Sequence, residues 1–175
     1  MLEELKEIAQ GEMLTIDNNE VKEFTGQDDF TVVGVKTYTQ EEGDVLVADL
    51  DGYYLIAHTL DGEPRYYVTE NAAAGDADSL EDDGFRLVQK DDAMPKKLYA
   101  GRNDREVPYK AKYGPVYGLS VERDDMPGDD AGEIAFCEYR GKTKVRQASV
   151  VLLERTDGRY TLYQGFQIGE SSVVL

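Results

Sequence analysis

The side chains best suited to nucleophilic chemistry in this sequence are one cysteine and one histidine. His58 lies in a predicted strand at residues 53–58, and Cys137 lies in another at residues 134–139. A Cys-His pair would supply a thiolate and its base if these strands were neighbours. A lone cysteine on an apolar strand more often serves as a small buried hydrophobic side chain, and nothing in the spacing selects the pair. We therefore predict no catalytic residue and a protein that is not an enzyme.

A second candidate group combines tyrosines with a histidine and a carboxylate. Tyrosine rings pack on one side and present a hydroxyl group on the other, so they suit the wall of a ligand cavity. If two β-meanders enclosed such a cavity, four side chains would converge on it: Tyr54, His58, Glu154 and Tyr160. This alternative predicts a module that binds a small molecule or a metal ion, and it includes a hydrolase.

Metal and phosphate sites are the next chemistry to test. Ser79, Glu81 and Asp83 occupy positions 1, 3 and 5 of a calcium-binding EF-hand register, but position 12, which requires a bidentate carboxylate, is Lys90. Gly114 and Gly118 match neither the Walker pattern nor the Gly-x-Gly-x-x-Gly pattern at the start of a helix, the two glycine motifs that bind phosphate. A turn between strands accounts for these glycines. The sequence therefore predicts no metal site and no cofactor.

The most ordered charge pattern is a cationic row in which every second residue is basic: Arg140, Lys142, Lys144 and Arg146. On a strand, these side chains would line one face. Cations on an exposed edge strand commonly prevent pairing with another molecule, which is one interpretation. In the other, the row and the basic segment 96–112 form an interaction surface, and self-association through an acidic region of a second copy follows.

The net charge of −17 is distributed unevenly along the chain. Residues 1–95 contain 24 acidic and 6 basic side chains, whereas residues 96–112 contain 2 acidic and 6 basic ones. A strongly negative field repels nucleic-acid phosphates and favours solubility or a cationic partner. We therefore predict a protein partner or self-association, and no nucleic-acid partner.

The start of the chain and its single cysteine bear on the compartment. Met1 is followed by acidic residues, and no apolar stretch approaches the length of about 18 residues that a membrane span needs. One cysteine cannot form an internal disulfide. These features predict a cytoplasmic protein with no membrane partner.

Short apolar strands separated by Asp-Gly dipeptides indicate the fold. Asp51-Gly52, Asp61-Gly62 and Asp157-Gly158 favour the positive φ angles of tight hairpins. Around these dipeptides, a period of two in apolar residues predicts strands, at residues 30–35, 45–48, 53–58, 66–68, 85–88, 134–139, 149–154, 160–168 and 173–175. Helical spacing predicts one helix at residues 2–10, and acidic loops are predicted at residues 71–84 and 124–132.

The two ends of the predicted sheet are similar to each other. A shift of 106 residues superposes Asp51-Gly52 and Tyr54 on Asp157-Gly158 and Tyr160. An ancient duplication of a meander would produce this match, and so would two hairpins built under the same turn rules.

The segment from Phe30 to Val68 and the segment from Glu133 to Leu175 carry the only family resemblance. With Glu154, the run Asp157-Gly158-Arg159-Tyr160 and Gly165, they resemble an uncharacterised group of bacterial all-β domains. Members of that group usually have a tryptophan in the first meander, and this chain has none. The resemblance implies a bacterial all-β domain of unknown function.

Taken together, these observations predict a single all-β domain over residues 1–175, mainly antiparallel, with a short N-terminal helix. Two similar meanders at residues 30–70 and 134–175 would flank an irregular middle at 71–133 and form a partly open barrel or sandwich. The predicted function is that of a non-enzymatic interaction or accessory protein.

Overall fold

Antiparallel strands dominate the computed structural model, which describes residues 1–101, 105–125 and 132–175. Of the residues that the structure describes, 55% lie in strands and 14% in helices, so the all-β prediction is confirmed. The strands are β1 Met13–Ile16, β2 Asp29–Thr31, β3 Gly34–Gln40, β4 Gly43–Asp49, β5 Tyr54–His58, β6 Arg65–Gly75, β7 Phe85–Val88, β8 Lys97–Ala100, β9 Val107–Asp124, β10 Glu133–Gly141, β11 Val150–Thr156, β12 Arg159–Ile168 and β13 Val173–Val174. The helices are α1 Leu2–Lys6, α2 Asn19–Thr25 and α3 Ala77–Asp82, and short 3-10 turns span Arg146–Ala148 and Glu170–Ser172.

The strands form two sheets. One has three strands in the order β13-β1-β2. The other has ten, in the order β10-β11-β12-β6-β5-β4-β3-β9-β8-β7, and β10 also pairs with β9. This hydrogen-bonding order is that of a closed eight-stranded barrel, where the sequence predicts a partly open barrel or a sandwich.

The chain divides into two compact units. Unit 1 comprises Met1–Glu70, Ser120–Asp130 and Gln167–Leu175, and unit 2 comprises Asn71–Leu119 and Ala131–Phe166. Most of the second predicted acidic loop, at residues 126–131, and Arg102 of the basic segment lie outside the described residues. The single-domain prediction and the duplication both stay predictions.

The Asp-Gly dipeptides explain two of the hairpins. Asp51 and Gly52 have φ angles of 63° and 105°, and Asp157 and Gly158 have φ angles of 47° and 78°. Both pairs therefore form the tight turns that the sequence predicts, in β4-β5 of unit 1 and β11-β12 of unit 2. At Asp61-Gly62 the chain also folds back between antiparallel strands, and Gly62 has a φ angle of 89°. The turn is wider than predicted, because residues 59–64 form a longer loop between the paired residues His58 and Arg65.

Unit 1 contains a helix that the sequence prediction missed. In α2, the side chain of Asn18 accepts hydrogen bonds from the amides of Glu20 and Val21, and Gly26 ends the helix in the left-handed conformation. These are strong start and stop signals.

The predicted helix at residues 2–10 is shorter than expected, since α1 ends at Lys6. The predicted strand at residues 30–35 is interrupted, since β2 ends at Thr31 and β3 begins at Gly34.

Unit 2 corrects the predicted irregular middle. The expected loop at residues 71–84 is instead the end of β6 followed by α3, which begins after Asp76. The expected turn near Gly114 lies within the 18-residue strand β9. The core of the unit packs the inner faces of β7, β8 and β9 against β10, β11 and β12, around Leu98, Tyr109 and Leu153, which are nearly or fully buried.

A polar network holds α1 on the strands of unit 1. The ammonium group of Lys6 donates to Asp44 Oδ2 at 2.9 Å, and the hydroxyl of Thr39 donates to Asp44 Oδ1 at 2.5 Å. Burial opposes both charges, but these hydrogen bonds and the mutual attraction outweigh it. The pKa of Asp44 therefore lies below its usual value, and the pKa of Lys6 lies above its usual value.

We expect Asp44→Asn to lower the free energy of unfolding by about 1 kcal/mol near neutral pH, because the amide loses the ionic part of the contact with Lys6. A lowered pKa stabilises the fold above the usual value of 3.8 and stops doing so as the pH falls through the folded-state value. The difference should therefore vanish in acid. Urea unfolding of both proteins at about pH 7 and pH 2 measures it, and Asp51→Asn, in an exposed turn, is the control.

Candidate functional site

An acidic cleft lies entirely within unit 2. It has a volume of about 550 Å³. Its walls come from the start of α3, the segment after β7 and the β11-β12 hairpin. Five aspartates and one arginine supply its charge: Asp76, Asp78, Asp91, Asp92, Asp157 and Arg155. Ala77, Gln89, Gly158 and Tyr160 complete the lining.

Three of the aspartates have a structural reason to be at their positions. Asp76 caps α3, because its Oδ1 accepts a hydrogen bond from the amide of Ser79 at 2.8 Å. That bond lowers the pKa of the Asp76 carboxyl, so the group stays ionised. Asp91 and Asp157 adopt φ angles of 58° and 47°, a conformation that aspartate tolerates better than most residues.

The carboxylates of Asp78 and Asp92 have no such role. Asp78 lies in the first turn of α3, and Asp92 follows Asp91 in the turn after β7. Within the described residues, neither carboxylate is a recorded hydrogen-bond or ion-pair partner; the backbone carbonyl of Asp92 accepts from Arg155 Nη1 at 2.5 Å. Changing these two carboxylates therefore removes neither the cap of α3 nor a residue with a positive φ angle.

The remaining wall is built by β12 and its neighbours. Tyr160 is nearly buried, and its hydroxyl is hydrogen-bonded to the side chain of Gln89. Arg155 lies over the ring of Tyr117, with the guanidinium carbon 5.7 Å from the ring centroid. The cleft thus combines one held cation, an aromatic edge and five carboxylates. This arrangement attracts a positively charged group.

Two of the four predicted pocket residues belong to unit 1 and two to unit 2, and their convergence stays a prediction. Tyr54 and His58 lie on β5 in unit 1, and Glu154 and Tyr160 lie on β11 and β12 in unit 2. Tyr160 lines the acidic cleft. His58 is fully buried, where it stacks on Tyr67 with ring centroids 5.5 Å apart, and its Nδ1 accepts the amide of Leu60 at 3.2 Å.

Cys137 is poorly suited to nucleophilic chemistry in its observed environment. The side chain is fully buried in unit 2, and this burial raises the pKa of the thiol to about 12. The thiolate, which is the nucleophile, is therefore scarce at neutral pH.

Among the described residues, no group of three or more histidine, cysteine, aspartate or glutamate side chains is placed to hold a metal ion.

The cationic row does not form one strand face, so that part of its interpretation is wrong. β10 ends at Gly141, and only Arg140 of the four cations lies on the strand. Its Nε donates to the carboxylate of Glu138 at 2.5 Å. Lys142 and Lys144 are exposed in the following loop, and Arg146 begins a 3-10 turn. Whether the row binds a partner stays a prediction.

Comparison with known proteins adds no relative. No family model matches the chain, and no significant similarity to a curated protein or to a solved structure was found. The resemblance to bacterial all-β domains stays a prediction. In the described ranges, no helix has the length and apolar character needed to cross a membrane.

Proposed function

We propose that this protein is a non-enzymatic interaction protein whose acidic cleft binds lysine or arginine side chains of a protein partner. The observation that carries the proposal is the convergence of five aspartates on one cleft beside a single arginine. The single cysteine, which cannot form an internal disulfide, supports a reducing cytoplasm as its compartment.

Charge and shape together favour a cationic side chain as the occupant. Neighbouring carboxylates repel one another, and a bound cation relieves that repulsion. The methylene stem of a lysine or arginine can pack against the ring of Tyr160 while its charged end meets the aspartates. The lowered pKa of Asp76 keeps part of this negative charge in place at mildly acidic pH.

Asp78→Asn with Asp92→Asn tests the cleft. The double substitution removes two of its charges and keeps the size of both side chains. We expect the affinity for a fluorescently labelled hexalysine peptide to fall about tenfold, because each exposed ion pair contributes up to about 1 kcal/mol. Fluorescence anisotropy at about 0.1 M salt measures the affinity.

The matched control is Glu41→Gln with Glu42→Gln, which removes the same charge from an exposed hairpin of unit 1. This control should change hexalysine affinity by less than about twofold, since distant exposed charges are screened. Equal losses in the two variants would show that net charge, and not the cleft, attracts the peptide, and the proposal would then fail.

A second candidate is a module that binds a small organic cation, and Tyr160 at the wall of the cleft favours it. Spermidine serves as the probe. If spermidine binds at least as tightly as hexalysine and loses affinity in the Asp78→Asn, Asp92→Asn variant, the small-molecule function replaces the protein-binding one.

A further inference from the structure

The outer face of β7, β8 and β9 in unit 2 carries a group of basic side chains, although the protein as a whole is acidic. The register places Arg86 opposite Tyr99, and Lys97 opposite Lys110, with Lys112 two residues further along the same face of β9. We call these five residues the basic face. The ring of Tyr99 contacts two of its cations, since the guanidinium carbon of Arg86 lies 4.4 Å and Lys97 Nζ lies 4.8 Å from the ring centroid.

Three lysines of the basic face have no carboxylate partner among the described residues. Arg86 forms hydrogen bonds to Glu106 at 3.2 and 3.1 Å, whereas Lys97, Lys110 and Lys112 appear in no recorded ion pair. This is notable in a chain with 36 acidic and 19 basic side chains. Lys97 and Lys110 are also direct cross-strand neighbours, a placement of like charges that destabilises a sheet. Carboxylates of a binding partner would relieve this repulsion.

We propose that the basic face of one copy docks on the acidic cleft of a second copy, so that the protein self-associates head to tail. The occupant is chosen by charge complementarity, because the chain itself carries a cleft with five aspartates that match these lysines. The proposal rests on the cation-binding function of the cleft. Since the two surfaces differ, each copy keeps one surface of each kind, and the association can continue beyond two copies.

The net charge of −17 opposes this association at long range, but screening limits the effect. At about 0.1 M salt the Debye length is about 10 Å, so charges far from the interface contribute little while charges in contact still attract. We therefore expect self-association at moderate salt and its loss at about 1 M salt. Sedimentation velocity over a range of protein concentrations measures both.

Two variants, each of which disables one of the two docking surfaces, give the sharpest test. Lys110→Glu with Lys112→Glu disables the basic face and keeps the cleft, and Asp78→Lys with Asp92→Lys disables the cleft and keeps the basic face. Each variant alone should be monomeric. An equal mixture should form a 1:1 complex that grows no further, because each copy has one working surface. An isologous interface, in which identical surfaces meet, would not give this result.

Lys142→Glu with Lys144→Glu is the matched control, since it makes the same charge change in an exposed loop of unit 2. It should keep self-association within about twofold of the unmodified protein. If this control abolishes association while the basic-face variant retains it, the interface lies at the loop and the proposal is overturned. Circular dichroism of each variant checks that it is folded.

Failure of this inference is separable from failure of the cleft function. A protein that binds hexalysine in the cleft but stays monomeric at all concentrations and salt conditions overturns head-to-tail association alone. A protein that does not bind hexalysine overturns the cleft function. A monomer whose basic face instead binds a single-stranded oligothymidine, with loss in the Lys110→Glu, Lys112→Glu variant, identifies a nucleic acid as the occupant and also overturns the proposal.

Discussion

Arg140→Met is expected to lower the free energy of unfolding by about 2 kcal/mol. Glu138 has no exposed surface, and its carboxylate accepts a hydrogen bond from Arg140 Nε at 2.5 Å. The substitution removes a charged partner of this buried carboxylate, and breaking a fully buried ion pair costs about 3–5 kcal/mol. Because the Arg140 side chain is 29% exposed, water compensates part of the loss. Urea unfolding at about pH 7 measures the change.

Lys142→Met provides the matched comparison for Arg140→Met. It removes the same charge two residues away, from an exposed loop, and should change stability by no more than about 0.5 kcal/mol. Glu138→Gln combined with Arg140→Met should recover part of the loss, because no charge then remains in the buried position. If Arg140→Met and Lys142→Met lower the free energy of unfolding equally little, Arg140 acts as a surface cation like Lys142. The structural role assigned to Arg140 would then be wrong.

The cationic row shows how a regular sequence pattern can mislead. Alternation of charge at Arg140, Lys142, Lys144 and Arg146 predicts one strand face, but only the first of them lies on a strand. The alternation ends where Gly141 passes the ring of Tyr109 and the chain leaves the sheet. That contact joins residues 32 positions apart, so no local pattern could reveal it.

Hairpins were predictable because their signal is local. At Asp51-Gly52 and Asp157-Gly158, two residues fix the turn, and the apolar alternation on either side fixes the strands. The start of α2 was also readable from Asn18 and Gly26, but its seven residues contain little helical periodicity. β9 was missed because Gly114 and Gly118, with φ angles of 96° and 69°, interrupt its pattern.

The acidic cleft is the part that sequence reasoning could not find. Three of its five aspartates have a local explanation: Asp76 caps a helix, and Asp91 and Asp157 occupy turns. Their convergence depends on the pairing of β11 with β12 and on the position of α3, which are tertiary features. The acidic segment around α3 was visible in the composition, but composition does not say which carboxylates share a cleft.

Gly141→Ala is the second substitution expected to have a large effect, a loss of about 2–3 kcal/mol in the free energy of unfolding. A Cβ at this position would lie 2.4 Å from Cε2 and 2.6 Å from Cζ of Tyr109. The ring cannot easily move away, because Tyr109 is 2% exposed and its hydroxyl donates to the carbonyl of Ala148 at 2.6 Å. Overpacking of a buried contact typically costs about 1–3 kcal/mol, and loss of the hydrogen bond adds to it.

Gly132→Ala separates this clash from a general effect of replacing glycine, because a Cβ at Gly132 would meet no atom of the described residues within 4 Å. It should leave stability unchanged or raise it slightly, since alanine restricts the unfolded chain more than glycine does. The loss from Gly141→Ala should also shrink in a Tyr109→Leu background, where the smaller side chain makes room for the added methyl group. A loss that is equally large without the ring would assign the effect to the backbone of Gly141, and the packing of Tyr109 against the loop would then not be its cause.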